Sequence, residues 1–361
     1  MPVLVDGGSS GRSFHPATER LFGKEQPEFR EWSVDSIDVG LINNMPDAAL
    51  ESTERQFVEL LRAAAEHVFV RLKLFSLPDV PRTELGRAHL SHGYSDIDDL
   101  WTSRLDGLIV TGTEPRALSL TDEPYWGTLT KVIDWAEDNT RSTVWSCLAA
   151  HAAVLHIDGI CRTTLDEKRF GVFECARMSD HPLMAGVPFQ LRIPHSRCNE
   201  LHEDRLTSCH YEILTKSDEA GVDMFVKKRK SLFVFFQGHP EYDQRALLRE
   251  YRRDIGRFLG RQRETYPAMP QGYFDDVAAG ALARFRERAL SERREELLGS
   301  FPTAVVDDRL RPLCSSAARR IYGNWLSYLS AQKAQRFRSK SHAAELRLRR
   351  ANQSHSVQGV G

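Results

Sequence analysis

The sequence predicts an α/β protein in which a mostly parallel sheet carries helices on both faces and is followed by a C-terminal helical extension. Short apolar runs such as Ile37–Ile42, Asp106–Val110 and Leu232–Gln237 do not alternate with polar residues, which is typical of strands buried on both faces. Amphipathic helical segments such as Tyr125–Asn139 separate these runs. The run Thr143–Ser146 leads directly into an Ala/Leu-rich helix. Alternating strands and helices of this kind form parallel sheets.

Composition limits the classes of partner. Lys and Arg number 49 against 50 Asp and Glu, which gives a net charge of −1 and no general attraction to nucleic acid or to a membrane surface. No apolar stretch approaches the roughly 18 residues of a spanning helix, and the first residues do not resemble a signal peptide. The six cysteines form no C-x-x-C pair, so the sequence predicts free thiols, a cytoplasmic protein and no metal site.

The chain divides into four predicted parts. Residues 1–33, rich in Gly, Ser, Pro and charge, predict an N-terminal arm, and residues 34–265 predict the α/β domain. Residues 266–335 predict a helical extension that packs on the core through a final helix, Ser315–Gln335. The basic residues 336–361 predict a disordered tail.

The most informative position is Cys147, at the junction between the strand Thr143–Ser146 and the helix that follows. Such a turn exposes a side chain at the carboxyl edge of the sheet. The helix N-terminus adds free N–H groups and a positive dipole end, which favour a thiolate. Cys147 is therefore the predicted nucleophile.

The apolar run Leu232–Gln237 ends at Gly238 and is followed by His239 and Glu241. Because the carboxyl ends of parallel strands meet at one edge, we expect this loop to lie beside Cys147. The sequence predicts a triad in which His239 is the base and Glu241 fixes its tautomer.

Several motifs in order resemble one family, the homoserine O-acyltransferases built on the class I glutamine-amidotransferase fold, usually called homoserine O-succinyltransferases. The resemblance covers roughly Ile37 to Gln335, and its specific signature is Gly-His-Pro-Glu-Tyr-Asp at 238–243 combined with Pro-His-Ser-Arg at 194–197. Further matching segments are Leu41–Pro46, Glu54–Phe57, Asp106–Gly112, Pro124–Trp126, Gly171-Val172 and Asn324–Leu326.

This resemblance implies an amidotransferase-like catalytic domain over residues 34–265 and a ping-pong acyl transfer. An acyl-CoA would acylate Cys147, and the acyl group would pass to the hydroxyl of L-homoserine. The backbone N–H groups of Leu148 and Thr113 are the expected oxyanion donors. Substrate-binding residues are expected at Lys168, Ser196 and Arg253. The family further implies no bound cofactor, small-molecule substrates only and a homodimer.

Two positions depart from the family pattern, and both affect which acyl-CoA we expect as the donor. The family commonly has lysines after Met-Pro, whereas Asp47 and Ala48 follow Met45-Pro46 here. At the position that governs acyl-CoA specificity, where Gly favours succinyl and Glu favours acetyl, this chain has Arg116. A guanidinium pairs with the distal carboxylate of a succinyl group, so we predict succinyl-CoA as donor. The alternative is that Arg116 faces solvent or pairs with Asp122 or Glu123.

Other functions stay open at this point. The donor is alternatively acetyl-CoA, and the acceptor is alternatively a serine-like amino acid, since one methylene changes selectivity only about 10–200-fold. A glutaminase is a further alternative, although Trp145 and Ala149 replace the glycines of its usual G-x-C-x-G turn. The last alternative is a non-catalytic homologue, and the presence of both Cys147 and His239 counts against it.

Overall fold

A single ten-stranded sheet organises the computed structural model, which describes residues 3–6, 36–66, 68–313 and 315–357. The strands are β1 (Val3–Asp6), β2 (Ser36–Ile42), β3 (Phe69–Phe75), β4 (Gly107–Val110), β5 (Ser142–Ser146), β6 (Thr163–Arg177), β7 (Gln190–Glu200), β8 (Glu212–Ser217), β9 (Gly221–Lys228) and β10 (Leu232–Phe236). Their spatial order is β1-β3-β2-β4-β5-β10-β9-β8-β6-β7.

The helices are α1 (Asp47–Ala64), α2 (Glu84–Ser91), α3 (Ile97–Thr102), α4 (Trp126–Asn139), α5 (Leu148–Asp158), α6 (Glu203–Ser208), α7 (Ala246–Leu259), α8 (Asp276–Glu292), α9 (Thr303–Asp307) and α10 (Ser315–Val357). On one face of the sheet, α1 and α10 pack against apolar residues of β2 and β3. On the other face, α4 and α5 pack against β4, β5 and β10.

The half of the sheet from β1 to β10 is parallel throughout. Its strands are buried on both faces, as the non-alternating apolar runs predict: Leu41, Ile109 and Val144 are at most 1% exposed. The predicted α/β class, with a mostly parallel sheet between two helical layers, is confirmed.

The other half of the sheet is antiparallel, which the sequence analysis does not anticipate. Strands β9, β8, β6 and β7 extend the sheet from β10 by antiparallel pairing. Only three residues separate Ser217 at the end of β8 from Gly221 at the start of β9. A connection of that length permits a hairpin but not the crossover that parallel pairing requires.

Both ends of the chain differ from the prediction. Within the predicted N-terminal arm, Val3–Asp6 form strand β1, because the apolar side chains of Val3 and Val5 are buried against the sheet edge; the rest of the arm lies outside the described residues. Within the predicted tail, residues 336–357 continue α10 as a helix. This segment is rich in Ala, Leu, Glu and Arg, which have high helix propensity.

Helix α10 packs on the core through the predicted apolar face. Tyr322, Trp325, Leu326 and Leu329 are each at most 2% exposed. Trp325 Nε1 donates to Ser142 Oγ at 2.9 Å, which connects this helix to the start of β5. A separate apolar cluster joins α7 to α8. None of the described helices is long and apolar enough to cross a membrane.

Candidate active site

The predicted nucleophile lies in the sharp turn between β5 and α5. Cys147 has φ 53° and ψ −115°, a backbone conformation that a non-glycine residue adopts only where its surroundings hold it. Its N–H donates to the carbonyl oxygen of Phe236 at 2.7 Å, which ties the turn to the end of β10. The half-buried thiol is thereby presented at the carboxyl edge of the sheet, at the N-terminus of α5.

The predicted base reaches the same edge because β10 is the parallel neighbour of β5. Their register pairs Ser146 with Phe236, so the loops that follow both strands emerge side by side. The N–H of His239 donates to the carbonyl oxygen of Pro194 at 2.8 Å. His239 is only 6% exposed, and its imidazole lies within electrostatic reach of the Cys147 thiol.

Glu241 completes the predicted triad. Its Oε1 lies 2.8 Å from His239 Nδ1, and both side chains are buried. Burial lowers the pKa of His239, but the Glu241 and Cys147 charges and the hydrogen bond to Glu241 outweigh it, so this pKa lies well above its usual value. Tyr242 stacks on the imidazole, with ring centroids 4.2 Å apart and planes 16° apart. The imidazole is therefore fixed on two sides.

Both predicted oxyanion donors are neighbours of Gly112, Leu148 in space and Thr113 in the chain. The N–H of Leu148, the first residue of α5, has no acceptor within the described residues, as expected for a helix N-terminus. A Cβ on Gly112 would stand 2.9 Å from Leu148 N and 2.7 Å from its Cβ. Gly112 therefore leaves open the space in front of this N–H. Thr113 follows directly and is half-buried.

Asn44, for which the sequence predicts no role, braces the loop Thr111–Thr113, which carries one of the two predicted oxyanion donors and is called the oxyanion loop below. Its N–H donates to Thr111 Oγ1 at 2.8 Å, and its Nδ2 donates to the Thr111 carbonyl oxygen at 3.3 Å. Its Oδ1 accepts from the N–H of Leu77 at 3.1 Å. Because all three residues that form these bonds are buried, the loop leading to Thr113 is held in one conformation.

Two of the predicted substrate-binding residues converge on Glu250 of α7. Ser196 Oγ donates to Glu250 Oε2 at 2.5 Å, and Lys168 Nζ lies 3.6 Å from the same oxygen. Tyr242 Oη donates to the other oxygen, Oε1. Because Tyr242 also stacks on His239, this carboxylate lies one side chain away from the predicted base.

The third predicted substrate residue lies on the same helix. Arg253 donates from Nε to Asp254 Oδ1 at 3.0 Å. The Asp254 carboxylate is buried and lies within 4 Å of further cations on Lys168, Arg257 and Arg263. Asp254 thereby fixes the position of Arg253 relative to Lys168.

The Arg116 side chain is exposed and forms no ion pair with any described residue. Its backbone N–H donates to Glu123 Oε1 at 2.6 Å, as does that of Ala117 at 2.8 Å. Glu123 is buried, so it anchors the loop through the main chain and leaves the Arg116 guanidinium at the surface.

Asp47, which follows Met45-Pro46 where the family commonly has a lysine, connects two parts of the structure. Its carboxylate accepts from the N–H and hydroxyl of Thr83 at 2.8 and 2.7 Å and pairs with Arg82 at 3.1 Å. The pKa of Asp47 lies below its usual value, because these hydrogen bonds and the Arg82 charge outweigh burial. Asp47 fastens the start of α1 to the loop before α2.

Two further histidines near the triad contact residues outside it. His151 Nε2 bonds Gln237 Oε1 at 3.0 Å, and burial lowers its pKa to about 3. His195 is fully buried beside Asp223, and burial lowers its pKa well below the usual value. Burial raises the pKa of Asp223 to about 6, despite bonds from Thr215 and the N–H of Gly238. These groups support the loop that carries His239.

Glu250 and Tyr242 belong to the site but are not assigned a role from sequence. The sequence does contain a signal for Glu250. It precedes Arg253 by three residues, which places both residues on one side of a helix. Tyr242 directly follows the predicted orienting carboxylate.

Comparison with known proteins gives a consistent result. The family model for homoserine O-succinyltransferase matches residues 17–336. The chain belongs to this family. A homoserine O-succinyltransferase of Rhodopseudomonas palustris is 49% identical over 296 residues, covering 82% of this chain and 89% of the relative. One of Bradyrhizobium japonicum is 47% identical over 295 residues, covering 81% and 90%. The resemblance found from the motifs is confirmed.

Among solved structures, a glutamine amidotransferase of Methylobacillus flagellatus aligns with a TM-score of 0.46 at 14% identity, covering 82% of this chain and 96% of that chain. A glutamine amidotransferase of Thermotoga maritima aligns with a TM-score of 0.41 at 11% identity, covering 81% and 98%. The family assignment rests on the sequence relatives alone.

Proposed function

We propose that this chain transfers a succinyl group from succinyl-CoA to the hydroxyl of L-homoserine, through a thioester on Cys147, as a step of methionine biosynthesis. The observation that carries the proposal is the half-buried Cys147 beside the buried His239–Glu241 pair at the carboxyl edge of the sheet, in a chain of this family. Its acyltransferase family favours acyl transfer over the glutaminase alternative.

In the first half-reaction, His239 takes the proton of the Cys147 thiol and the sulfur attacks the thioester carbonyl of the donor. The oxygen of the tetrahedral intermediate is negatively charged, and the N–H groups of Leu148 and Thr113 would stabilise it. Collapse breaks the bond to the CoA sulfur, which leaves as a thiol after His239 returns the proton. One thioester is exchanged for another, so no oxidant or metal is needed.

In the second half-reaction, His239 takes the proton of the acceptor hydroxyl, and the hydroxyl oxygen attacks the Cys147 thioester. The same N–H groups would hold the second tetrahedral intermediate. Its collapse forms the ester and returns a protonated Cys147. Glu241 stabilises the imidazolium in both halves, because its Oε1 lies 2.8 Å from His239 Nδ1.

The acceptor would bind next to Tyr242, in front of Glu250. The Glu250 carboxylate suits the ammonium of an amino acid, and Lys168 and Arg253 suit its α-carboxylate. Ser196 orients Glu250 through its 2.5 Å hydrogen bond. An acceptor held at both charged groups would extend its side-chain hydroxyl towards His239.

Intact-mass analysis tests the proposal. The wild type mixed with succinyl-CoA should gain the mass of one succinyl group, and Cys147→Ala should not. Adding L-homoserine should discharge the acyl-enzyme faster than adding L-serine does. Acylation by acetyl-CoA alone would reassign the donor, and release of ammonia from glutamine without any acylation would replace the proposed activity by a glutaminase.

We further propose that the protein forms a homodimer and is located in the cytoplasm. The family resemblance supports the dimer, and dependence on a diffusible CoA thioester supports the compartment. Light scattering coupled to size-exclusion chromatography tests the oligomeric state directly, and a mass corresponding to one chain would contradict it.

A further inference from the structure

An ion pair joins the end of the oxyanion loop to helix α7. Arg257 donates from Nη1 to Glu114 Oε1 at 2.9 Å and from Nη2 to Glu114 Oε2 at 3.1 Å. Two parallel hydrogen bonds of this kind fix the relative orientation of a guanidinium and a carboxylate, as well as their distance. Because Glu114 directly follows Thr113, the pair holds the chain next to a predicted oxyanion donor.

The other anchors of this segment lie at its two ends. Asn44 holds the start through Thr111, and the Glu123 carboxylate holds the end by accepting two backbone N–H groups. Between these anchors, Thr113 forms no hydrogen bond with any residue that the structure describes, whereas its neighbour Glu114 forms two. The contact with Arg257 is therefore what holds the middle of the segment.

At the other end of the contact, Arg257 is held by a buried carboxylate. Its Nη1 lies 3.8 Å from Asp254 Oδ1, and Asp254 is buried. The same carboxylate accepts from Arg253 and lies 3.6 Å from Lys168 Nζ. Arg253 and Lys168 are the two cations that suit the carboxylate of the acceptor. The ion pair thus connects the oxyanion loop to the substrate-binding part of α7.

The strength of the pair separates a local role from a role in overall stability. The Glu114 side chain is 52% exposed and that of Arg257 is 37% exposed. An exposed ion pair contributes little to the free energy of unfolding, so the fold should tolerate its loss. Oxyanion stabilisation is more sensitive, because it requires donors that are held in place before the reaction begins.

We propose that Arg257 and Glu114 are positioning residues, which hold the oxyanion loop beside α7 and thereby keep the Thr113 N–H in place for both half-reactions. This role rests on the proposed function and on Thr113 as an oxyanion donor. Neither residue makes or breaks a bond. Because a tetrahedral intermediate forms in each half-reaction, loss of the pair should slow both of them and leave substrate binding nearly unchanged.

Single-turnover kinetics, followed by mass spectrometry, test this role. Glu114→Gln should slow both acylation by succinyl-CoA and discharge by L-homoserine about fivefold, with little change in the KM for L-homoserine. Arg257→Gln should slow both steps by a similar factor. The double variant should be no slower than either single variant, because the two residues act through one contact. Arg257→Lys should recover part of the rate, since an ammonium can still pair with the carboxylate.

Two further measurements show whether the effect belongs to the loop. Glu292→Gln is the matched control, because it removes the carboxylate partner of another arginine, Arg294, at the end of α8, and its rates should equal those of the wild type. Amide hydrogen exchange needs no substrate. The N–H groups of Arg116 and Ala117, at the end of the same segment, should exchange faster in Glu114→Gln than in the wild type.

Several outcomes separate this role from the proposed function. A wild type that no acyl-CoA acylates would defeat the proposed function, and hydrogen exchange would still decide whether the pair holds the loop. Unchanged rates in Glu114→Gln, or additive losses in the double variant, would overturn the positioning role alone. A raised KM for L-homoserine in Arg257→Gln, with normal rates in Glu114→Gln, would assign Arg257 to the substrate instead. If Arg257→Gln does not fold, unchanged rates in both Glu114→Gln and Arg257→Lys contradict the role.

Discussion

His239 and Glu241 form a buried pair, with 2.8 Å between Nδ1 and Oε1, at the edge of a sheet where solvent is largely excluded. The carboxylate raises the pKa of an imidazole that burial alone would lower. This relationship has consequences for stability as well as for the reaction, because a pKa that differs between folded and unfolded states makes folding depend on pH.

Glu241→Gln should reduce the pKa of His239 and slow acyl transfer by about 10²-fold or more, as loss of the orienting carboxylate does in other triads. The folded-state pKa of His239 is raised, so the pair adds stability below the unfolded pKa of about 6.5, and this is lost as pH rises through the folded value. The free energy of unfolding, measured by urea denaturation, should therefore separate wild type from variant more at pH 6 than at pH 9. A separation that grows with pH would contradict this reading.

Gly112→Ala should lower kcat by about 10²–10³-fold, because the added Cβ would stand 2.9 Å from Leu148 N and occupy the position of the oxyanion. Steady-state kinetics with succinyl-CoA measures the effect. Gly127→Ala is the matched control, since a Cβ there meets no atom within 4 Å, and its kinetics should equal those of the wild type. Equal activity in both variants would remove the Leu148 N–H from the mechanism.

Glu250→Gln should raise the KM for L-homoserine by about tenfold or more, since a charged partner of the acceptor ammonium is lost. The rate of Cys147 acylation by succinyl-CoA, followed by mass spectrometry before acceptor is added, should change little. Glu264→Gln, whose side chain is 90% exposed, serves as control. A fall in acylation rate with unchanged KM would instead assign Glu250 to the first half-reaction.

Much of the site could be predicted because it depends on local patterns. A β-branched strand that breaks into an Ala-rich helix places Cys147 in the turn whatever the rest of the chain does, and an apolar strand that ends at Gly238 does the same for His239. Parallel neighbours share an edge, so their meeting follows from the fold class. The resemblance of the motifs then supplied the family.

Other features depended on packing between distant elements. The antiparallel pairing of β8 with β9 follows from a short hairpin, and the partly exposed pattern of β6 carries a weaker signal than the parallel core. Asn44 braces the oxyanion loop from another strand end, and Glu250 faces Tyr242 because of how α7 is rotated against the sheet. Rotation of that kind is set by side-chain packing over the whole core.

The sequence by itself determined the fold class and the family, and it predicted the nucleophile, base and orienting acid, because periodicity and strand–helix junctions are local properties. Only the tertiary structure decided how the charged side chains are arranged around the site. It left Arg116 at the surface and placed Glu250 within hydrogen-bond reach of Ser196 and Tyr242, since such positions depend on contacts between residues far apart in the chain.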